Sequence, residues 1–283
     1  AFSKWQKRAP RKGFYDLSNN KDIEVQFSEA SSYGLDGFGI YHYFFKDGPE
    51  LNKFENYIKS NSLPENFKFF LIWANENWST RWSNDVKKIK EVHSDPSQSD
   101  VNRHVEELLP LLKLSCYEKF NQKLIFIIYR PDIFKDIQKT LNLYKKSFKS
   151  NSLDVSFGFF IKNKKDIIYQ RFFDFCYIFE PRLFQNFYGL RSNEFVNLLK
   201  SGVKTLTTYE NSERTFKIFH NLLSLKKNKS SYEKYQKYLI SHERKEFFDS
   251  LEIPFQEVLN FGWDNTPRYR SKGIKIVDVP SVK

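Results

Sequence analysis

The apolar run from Phe69 to Trp73 stops at Asn75, Glu76 and Asn77, with Trp73 on one side and Trp78 on the other. A carboxylate set among amides and flat rings can move protons or attack carbon, and its neighbours can hold a polyhydroxylated ligand. Ring C–H faces stack on aromatics, while hydroxyls bond to amides and carboxylates. The pattern recurs along the chain. GFGIYHYFF carries His42 and Tyr43 towards its end, KLIFIIY runs into Tyr129 and Arg130, FDFCYIF runs into Glu180, and FGWDNTPR gathers Trp263, Asp264, Asn265 and Arg268. One polar ending is what any solvated turn shows. Five such endings beside aromatic rings point to a common surface that handles sugars.

Cleavage of a glycosidic bond usually needs two carboxyl groups, one protonated to assist the leaving oxygen and one ionised to attack or to activate water. Glu76 and Glu180 are the first candidates for that pair, with Asp264 third. His42, Tyr43, Trp73, Asn75, Trp78, Tyr129, Arg130, Trp263, Asn265 and Arg268 are candidates for holding substrate. Structural alternatives stand beside them. His42 has apolar neighbours and can be a satisfied core histidine; Arg130 can tie two strand ends through a carboxylate; Asp264 can close the turn that D-N-T-P suggests. His93, His104, His220 and His242 show no metal-ligand spacing and receive no role. Cys116 and Cys176 lie far apart, outside any C-x-x-C pattern, which argues against a zinc site or a disulfide framework. No metal and no cofactor is expected.

The elements that must position these groups are legible. Apolar runs at 37–45, 67–73, 123–129, 155–161 and 173–179 are nearly continuous, as suits parallel strands covered on both faces. Between them, Leu51, Phe54, Tyr57 and Ile58 share one helical face, as do Val101, Val105, Leu108 and Leu112, and Ile137, Leu141, Tyr144 and Phe148. Ser192 offers a helix N-cap and Gly202 a left-handed stop. Alternating strands and helices over 283 residues predict an α/β protein. The favoured form is a (β/α)8 TIM-like barrel in a single domain over 1–283, with a doubly wound sheet as the alternative. The chemistry of such a barrel lies where its strands end. Gly37 and Gly39 form a G-x-G without a third glycine, and no phosphate-cradling loop is present, so a nucleotide fingerprint is not supported. The lysine- and serine-rich stretch 225–232 reads as a surface loop.

The formal net charge of +12 favours an anionic partner in a general way. The basic residues are scattered, and no ribonucleoprotein-type aromatic motif accompanies them, so nucleic-acid binding is not expected. Aromatic residues make up 18% of the chain, enough for both a core and a stacking surface. No apolar stretch approaches the roughly 18 to 20 residues of a membrane span and no leader opens the chain, giving a cytoplasmic expectation. Oligomeric state leaves no mark in the sequence.

The motifs DGFGIYHYFF (36–45), WANENWSTRW (73–82), IYRP (128–131), FD with FEP (173–181) and GWDNTPR (262–268) occur in an order that resembles the WbsX family of bacterial polysaccharide-biosynthesis proteins. The likeness runs from FYDLS at 14–18 to GWDNTPR. That family carries a glycosyltransferase description, yet is similar in sequence and expected barrel fold to glycoside hydrolase family 99, the endo-mannosidase group. The resemblance implies a barrel that acts on O-antigen, capsule or related lipopolysaccharide glycan. Relatives open with a strand of the type F-Y-L-P-Q-F-H-P and close with N-E-W-x-E-G, where the hydrolases keep working carboxylates; neither segment is evident here. The expectation is therefore either part of a longer chain or an incomplete barrel that binds glycan without turning it over. A sugar-nucleotide-dependent transferase is the further alternative, disfavoured by the lack of a D-x-D motif.

Overall fold

The structure is a computed structural model and describes residues 15–78, 90–180, 182–188 and 229–258, with Gly13 and the short strands at 263–264 and 275–277. The chain forms two compact units, residues 1–159 and 160–283.

The first unit is a parallel sheet with a helix between successive strands. Strands β1 (Gly37–Phe45), β3 (Lys68–Trp73), β5 (Lys123–Ile128) and β6 (Val155–Ile161) lie side by side and parallel. Short β2 (Gly48–Glu50) folds back on β1, and β4 (Lys119–Phe120) folds back on β5. Helices α2 (Lys53–Ser60), α3 (Gln98–Leu112) and α4 (Ile137–Ser150) make the crossovers. Two of the three helical faces read from the sequence are the buried ones: Val101, Val105, Leu108 and Leu112, and Ile137, Leu141, Tyr144 and Phe148. The first is corrected in part: Tyr57 and Ile58 are buried, Phe54 is partly buried, and Leu51 lies before α2 with a positive φ and is exposed. Ser97 and Asp100 close a reciprocal capping box at the start of α3, and Asp136 caps α4.

Burial separates the strands. Every residue of β6 and all but the first of β5 are buried, as both-face coverage requires, whereas β1 alternates and leaves Tyr41 39% exposed. Helix α1 (Asn20–Ser32), which the sequence reading did not assign, buries Ile23, Phe27 and Ala30 at helical spacing behind an Asn19 cap. Gly37 and Gly39 have a packing reason: a Cβ on Gly37 would lie 2.3 Å from the Lys68 carbonyl oxygen, and one on Gly39 would meet the Phe70 ring at 2.9 Å.

In the second unit, a 3-10 helix (Lys164–Phe172) leads to β7 (Phe175–Ile178), which pairs in parallel with β9 (Phe255–Gln256). Helices α5 (Arg182–Tyr188), α6 (Tyr232–Leu239) and α7 (His242–Asp249) follow β7. Phe184, Tyr235 and Tyr238 form their core, with Phe187 and Leu239 packed against it. Strands β8 (Lys229–Ser231), β10 (Trp263–Asp264) and β11 (Lys275–Val277) form a second sheet, parallel between β8 and β11 and antiparallel between β10 and β11. The expected loop at 225–232 is corrected in part: 229–231 is a strand and α6 begins at Tyr232, because β11 supplies that backbone with a partner. Residues 225–228, Ser192 and Gly202 lie outside the described residues. The architecture is mixed α/β with a parallel-rich sheet. No described helix is long and apolar enough to cross a membrane.

Candidate functional site

In the first unit the ends of β1, β3 and β5 bring Tyr41, Tyr43, Glu76, Trp78, Tyr129 and Arg130 together. The backbone sets this up. Beyond Trp73 the chain makes a tight turn, with Glu76 N–H donating to the Ala74 carbonyl at 2.9 Å. Asn75 is fully buried, and its side chain does the work of a further ladder rung. Its Oδ1 accepts from Arg130 N–H, and its Nδ2 donates to the Arg130 carbonyl, both at 2.7 Å. The end of β3 is thereby fixed to the end of β5, and Glu76 is delivered beside Arg130.

Arg130 donates from Nη1 to Glu76 Oε1 at 3.0 Å, and grips Asp132 with Nε and Nη2 at 2.7 and 2.6 Å. Those bonds, the Asp132 contact first, raise the guanidinium's affinity for its proton against the opposing pull of burial. The Glu76 side chain stays 46% exposed. Around this pair stand the rings. Tyr41 and Tyr129 meet edge to face at 5.9 Å between centroids, and Trp78 packs on Tyr43 at 5.2 Å and on Phe45 at 4.9 Å. Burial pushes the Tyr41 phenol up, and Tyr129, Tyr43 and Glu76 add to that push, which places all four in one electrostatic neighbourhood. Trp78 is held through backbone bonds to Lys90, whose ammonium sits on Asp47 and Glu50. Asn77 accepts from Val92 N–H at 2.8 Å.

His42 and Trp73 turn the other way. They are register partners across β1 and β3, and both contact His104 of α3. Tyr41 and Tyr43 flank His42 in sequence, so strand alternation sends them to the opposite face. Trp73 is 3% exposed and donates to the Phe44 carbonyl. His42, 2% exposed, is a satisfied core histidine. Its Nδ1 lies 3.1 Å from Glu55 Oε1 and its Nε2 3.0 Å from His104 Nε2, while His104 Nδ1 lies 2.6 Å from the Tyr144 hydroxyl. One set of tautomers accounts for all three contacts: Tyr144 donates to His104, His104 to His42, and His42 to Glu55 Oε1. Burial holds His104 well below the ordinary histidine pKa, in keeping with its neutral form there. The sequence reading gave His104 no role. In the fold it joins the end of β1 to α3 and α4.

Glu180 belongs to the second unit and has the same local geometry as Glu76, its N–H donating to the carbonyl two residues back, Ile178, at 3.1 Å. Its surroundings differ. It is 4% exposed; Oε1 accepts from the Tyr238 hydroxyl at 3.0 Å and Oε2 from Phe184 N–H at 3.2 Å. Burial raises its pKa, against the lowering effect of those two hydrogen bonds. Arg244, near enough to lower it further, is itself tied to Glu257. Trp263 and Asp264 form β10, with Asp264 opposite Lys275, but their side chains lie outside the described residues, as do Asn265 and Arg268 entirely.

Sequence reasoning missed Tyr41, Asp132 and Tyr238. Tyr41 was legible from alternation, being on the same strand face as Tyr43; Asp132 was legible as the carboxylate two residues from Arg130. Tyr238 carried no signal, since it lies 58 residues from Glu180. Among the described residues, no group of three or more His, Cys, Asp or Glu is placed to hold a metal ion.

These features describe an α/β protein whose charged and aromatic side chains gather at the carboxyl ends of parallel strands. The chain belongs to the glycosyltransferase WbsX family, whose model matches residues 3–281, as the motif resemblance implied. It is also similar to two curated proteins of Xanthomonas campestris pv. campestris, strains B100 and ATCC 33913, each described as uncharacterized protein WxcX. Each is 28% identical over 145 residues, 50% of this chain and 20% of the relative, so the match spans about a fifth of those relatives' length. A solved structure described as a glycoside hydrolase-like protein aligns with 95% of this chain and 71% of its own, at a TM-score of 0.46 and 10% identity.

Proposed function

We propose that this chain is a carbohydrate-active enzyme of bacterial cell-surface polysaccharide metabolism that breaks or transfers a glycosidic bond on the cytoplasmic side. The observation that carries the reading is the exposed Glu76 carboxylate, ion-paired with Arg130 and framed by Tyr41, Tyr43, Trp78 and Tyr129. Carboxylate oxygens accept sugar hydroxyls and the rings offer stacking faces. Membership of the WbsX family supports the same substrate class. Strands β1, β3, β5 and β6 advance in one direction, without the reversal that marks a doubly wound sheet, which supports a barrel-type order for these strands.

In this reading Glu76, paired with a cation, is the candidate to accept a proton from water or an acceptor hydroxyl. Glu180, in its own unit, is a candidate proton donor, since its burial favours the protonated form. Asp264 is held as the third carboxylate, with Trp263, Asn265 and Arg268 as substrate contacts beside it. The test is turnover of defined surface-glycan oligosaccharides, with and without sugar nucleotides. Glu76→Gln is expected to cut turnover by about 100-fold or more. Unchanged turnover in that variant removes Glu76 from the chemistry. A requirement for sugar nucleotide assigns the transferase alternative.

One observation favours a second reading, a glycan-binding barrel without turnover: both oxygens of Glu180 already accept bonds from within its own unit. Oligosaccharide binding without product under either condition selects it.

A further inference from the structure

A guanidinium can take a carboxylate with two parallel bonds on the edge formed by Nε and one Nη or on the edge formed by its two Nη groups. In Arg130 the first of these, Nε with Nη2, is occupied by Asp132 at 2.7 and 2.6 Å. Glu76 meets the guanidinium from its other side, at Nη1, through one oxygen at 3.0 Å. Its second oxygen, Oε2, has no hydrogen-bond partner among the described residues. Glu76 lies 54 positions from Arg130, whereas Asp132 lies two away, next to Pro131 in a short 3-10 turn (Pro131–Ile133), so Asp132 is fixed to the arginine locally and Glu76 only through the fold.

We propose that Asp132 is a positioning residue: by gripping the Nε edge it fixes the guanidinium in the orientation in which Glu76 meets it through one oxygen, and so keeps the other carboxylate oxygen of Glu76 open for a substrate hydroxyl. The inference rests on the glycan reading for its purpose but not for its geometry. Two carboxylates compete for one planar cation, and the nearer in sequence holds the Nε edge. Take Asp132 away and the Nε edge turns to the only other carboxylate that Arg130 touches among the described residues, occupying both oxygens of Glu76. The substrate then has to displace an arginine before it can bind. Asp132 is exposed, so its substitution leaves the core intact.

The experiment has two arms. The first needs no sugar: side-chain 15N NMR of Arg130 in the full chain, reading the Nε–H resonance and the inequivalence of the two Nη groups. In Asp132→Asn the Nε–H should keep the shift of a carboxylate-bonded group, and should lose it in Asp132→Asn combined with Glu76→Gln. Loss of that shift in Asp132→Asn alone, meaning that the guanidinium has swung to water, overturns the proposal. The second arm measures oligosaccharide affinity. Asp132→Asn should raise KM or Kd by about tenfold with a smaller change in kcat, and Asp132→Glu should restore most of it. Affinity unchanged in Asp132→Asn, where the wild type binds, also overturns it. Failure of the wild type to bind any glycan removes the functional reading and leaves the first arm to decide the positioning.

Discussion

Glu180 and Asn75 show how two polar residues at strand ends come to differ in duty. Glu180 has its pKa raised by burial. A carboxyl whose folded pKa lies above its unfolded value, about 4.3, holds more protons when folded, so its contribution to stability is full below that value and is lost as pH rises through the folded pKa. The wild type should therefore lose stability relative to Glu180→Gln as pH rises above about 4.3. Urea unfolding of both proteins across that pH checks it; parallel curves would show that the carboxyl is not perturbed. Asn75 is the reverse case, a neutral side chain with two good bonds to the Arg130 backbone. Asn75→Ala should cost about 2–3 kcal/mol by leaving that backbone unpaired, and should weaken glycan binding through the displaced arginine. WANENW was legible as a polar interruption. Which of its three polar residues meets solvent and which replaces a ladder bond was not, because the answer lies 55 residues away at Arg130.

At the scale of elements, periodicity carried most of what was legible. The runs at 37–45 and 155–161 are strands over those very bounds, and the faces of α3 and α4 bury the residues that spacing picked out, whereas at α2 Leu51 falls outside the helix. Strand alternation was the underused signal. Neighbours on β1 go to opposite faces, so His42 joins a buried chain with Glu55, His104 and Tyr144 while Tyr41 and Tyr43 go to the side of Glu76. The close pairing of β1 with β3 also depends on glycine. Gly37→Ala would push a methyl group into the Lys68 carbonyl, which is backbone and cannot swing away, so a loss of about 2–4 kcal/mol is expected by thermal or urea unfolding. Gly39→Ala meets the Phe70 ring and the tip of Ile72, which can rotate, and should cost less.

For the whole molecule, the balance of 46 basic against 34 acidic side chains gives the +12 charge that first suggested an anionic partner. The Glu76 neighbourhood has another character: its Arg130 is already committed to two carboxylates, leaving the trio of Glu76, Asp132 and Arg130 with a net negative charge. Specific binding of a neutral oligosaccharide should thus change by less than about twofold between roughly 50 and 500 mM salt, while non-specific attachment to polyanions should fall steeply. Isothermal titration at the two salt concentrations separates them. A steep slope for the oligosaccharide would mean that the general surface charge, not the Glu76 site, does the binding.

The sequence by itself determined the long strands within the runs at 37–45, 67–73, 123–129 and 155–161, the buried faces of α3 and α4, the family, and the carboxylates and aromatics that follow the apolar runs. These follow from local periodicity and from motifs a few residues long. Only the tertiary structure decided that His42 and Trp73 serve the core, that Asn75 closes the sheet, and that Asp132 and Glu76 share one arginine. Hydrogen bonds form between atoms in space, and the partners of those residues come from chain segments whose distance in sequence carries no record of their distance in the fold.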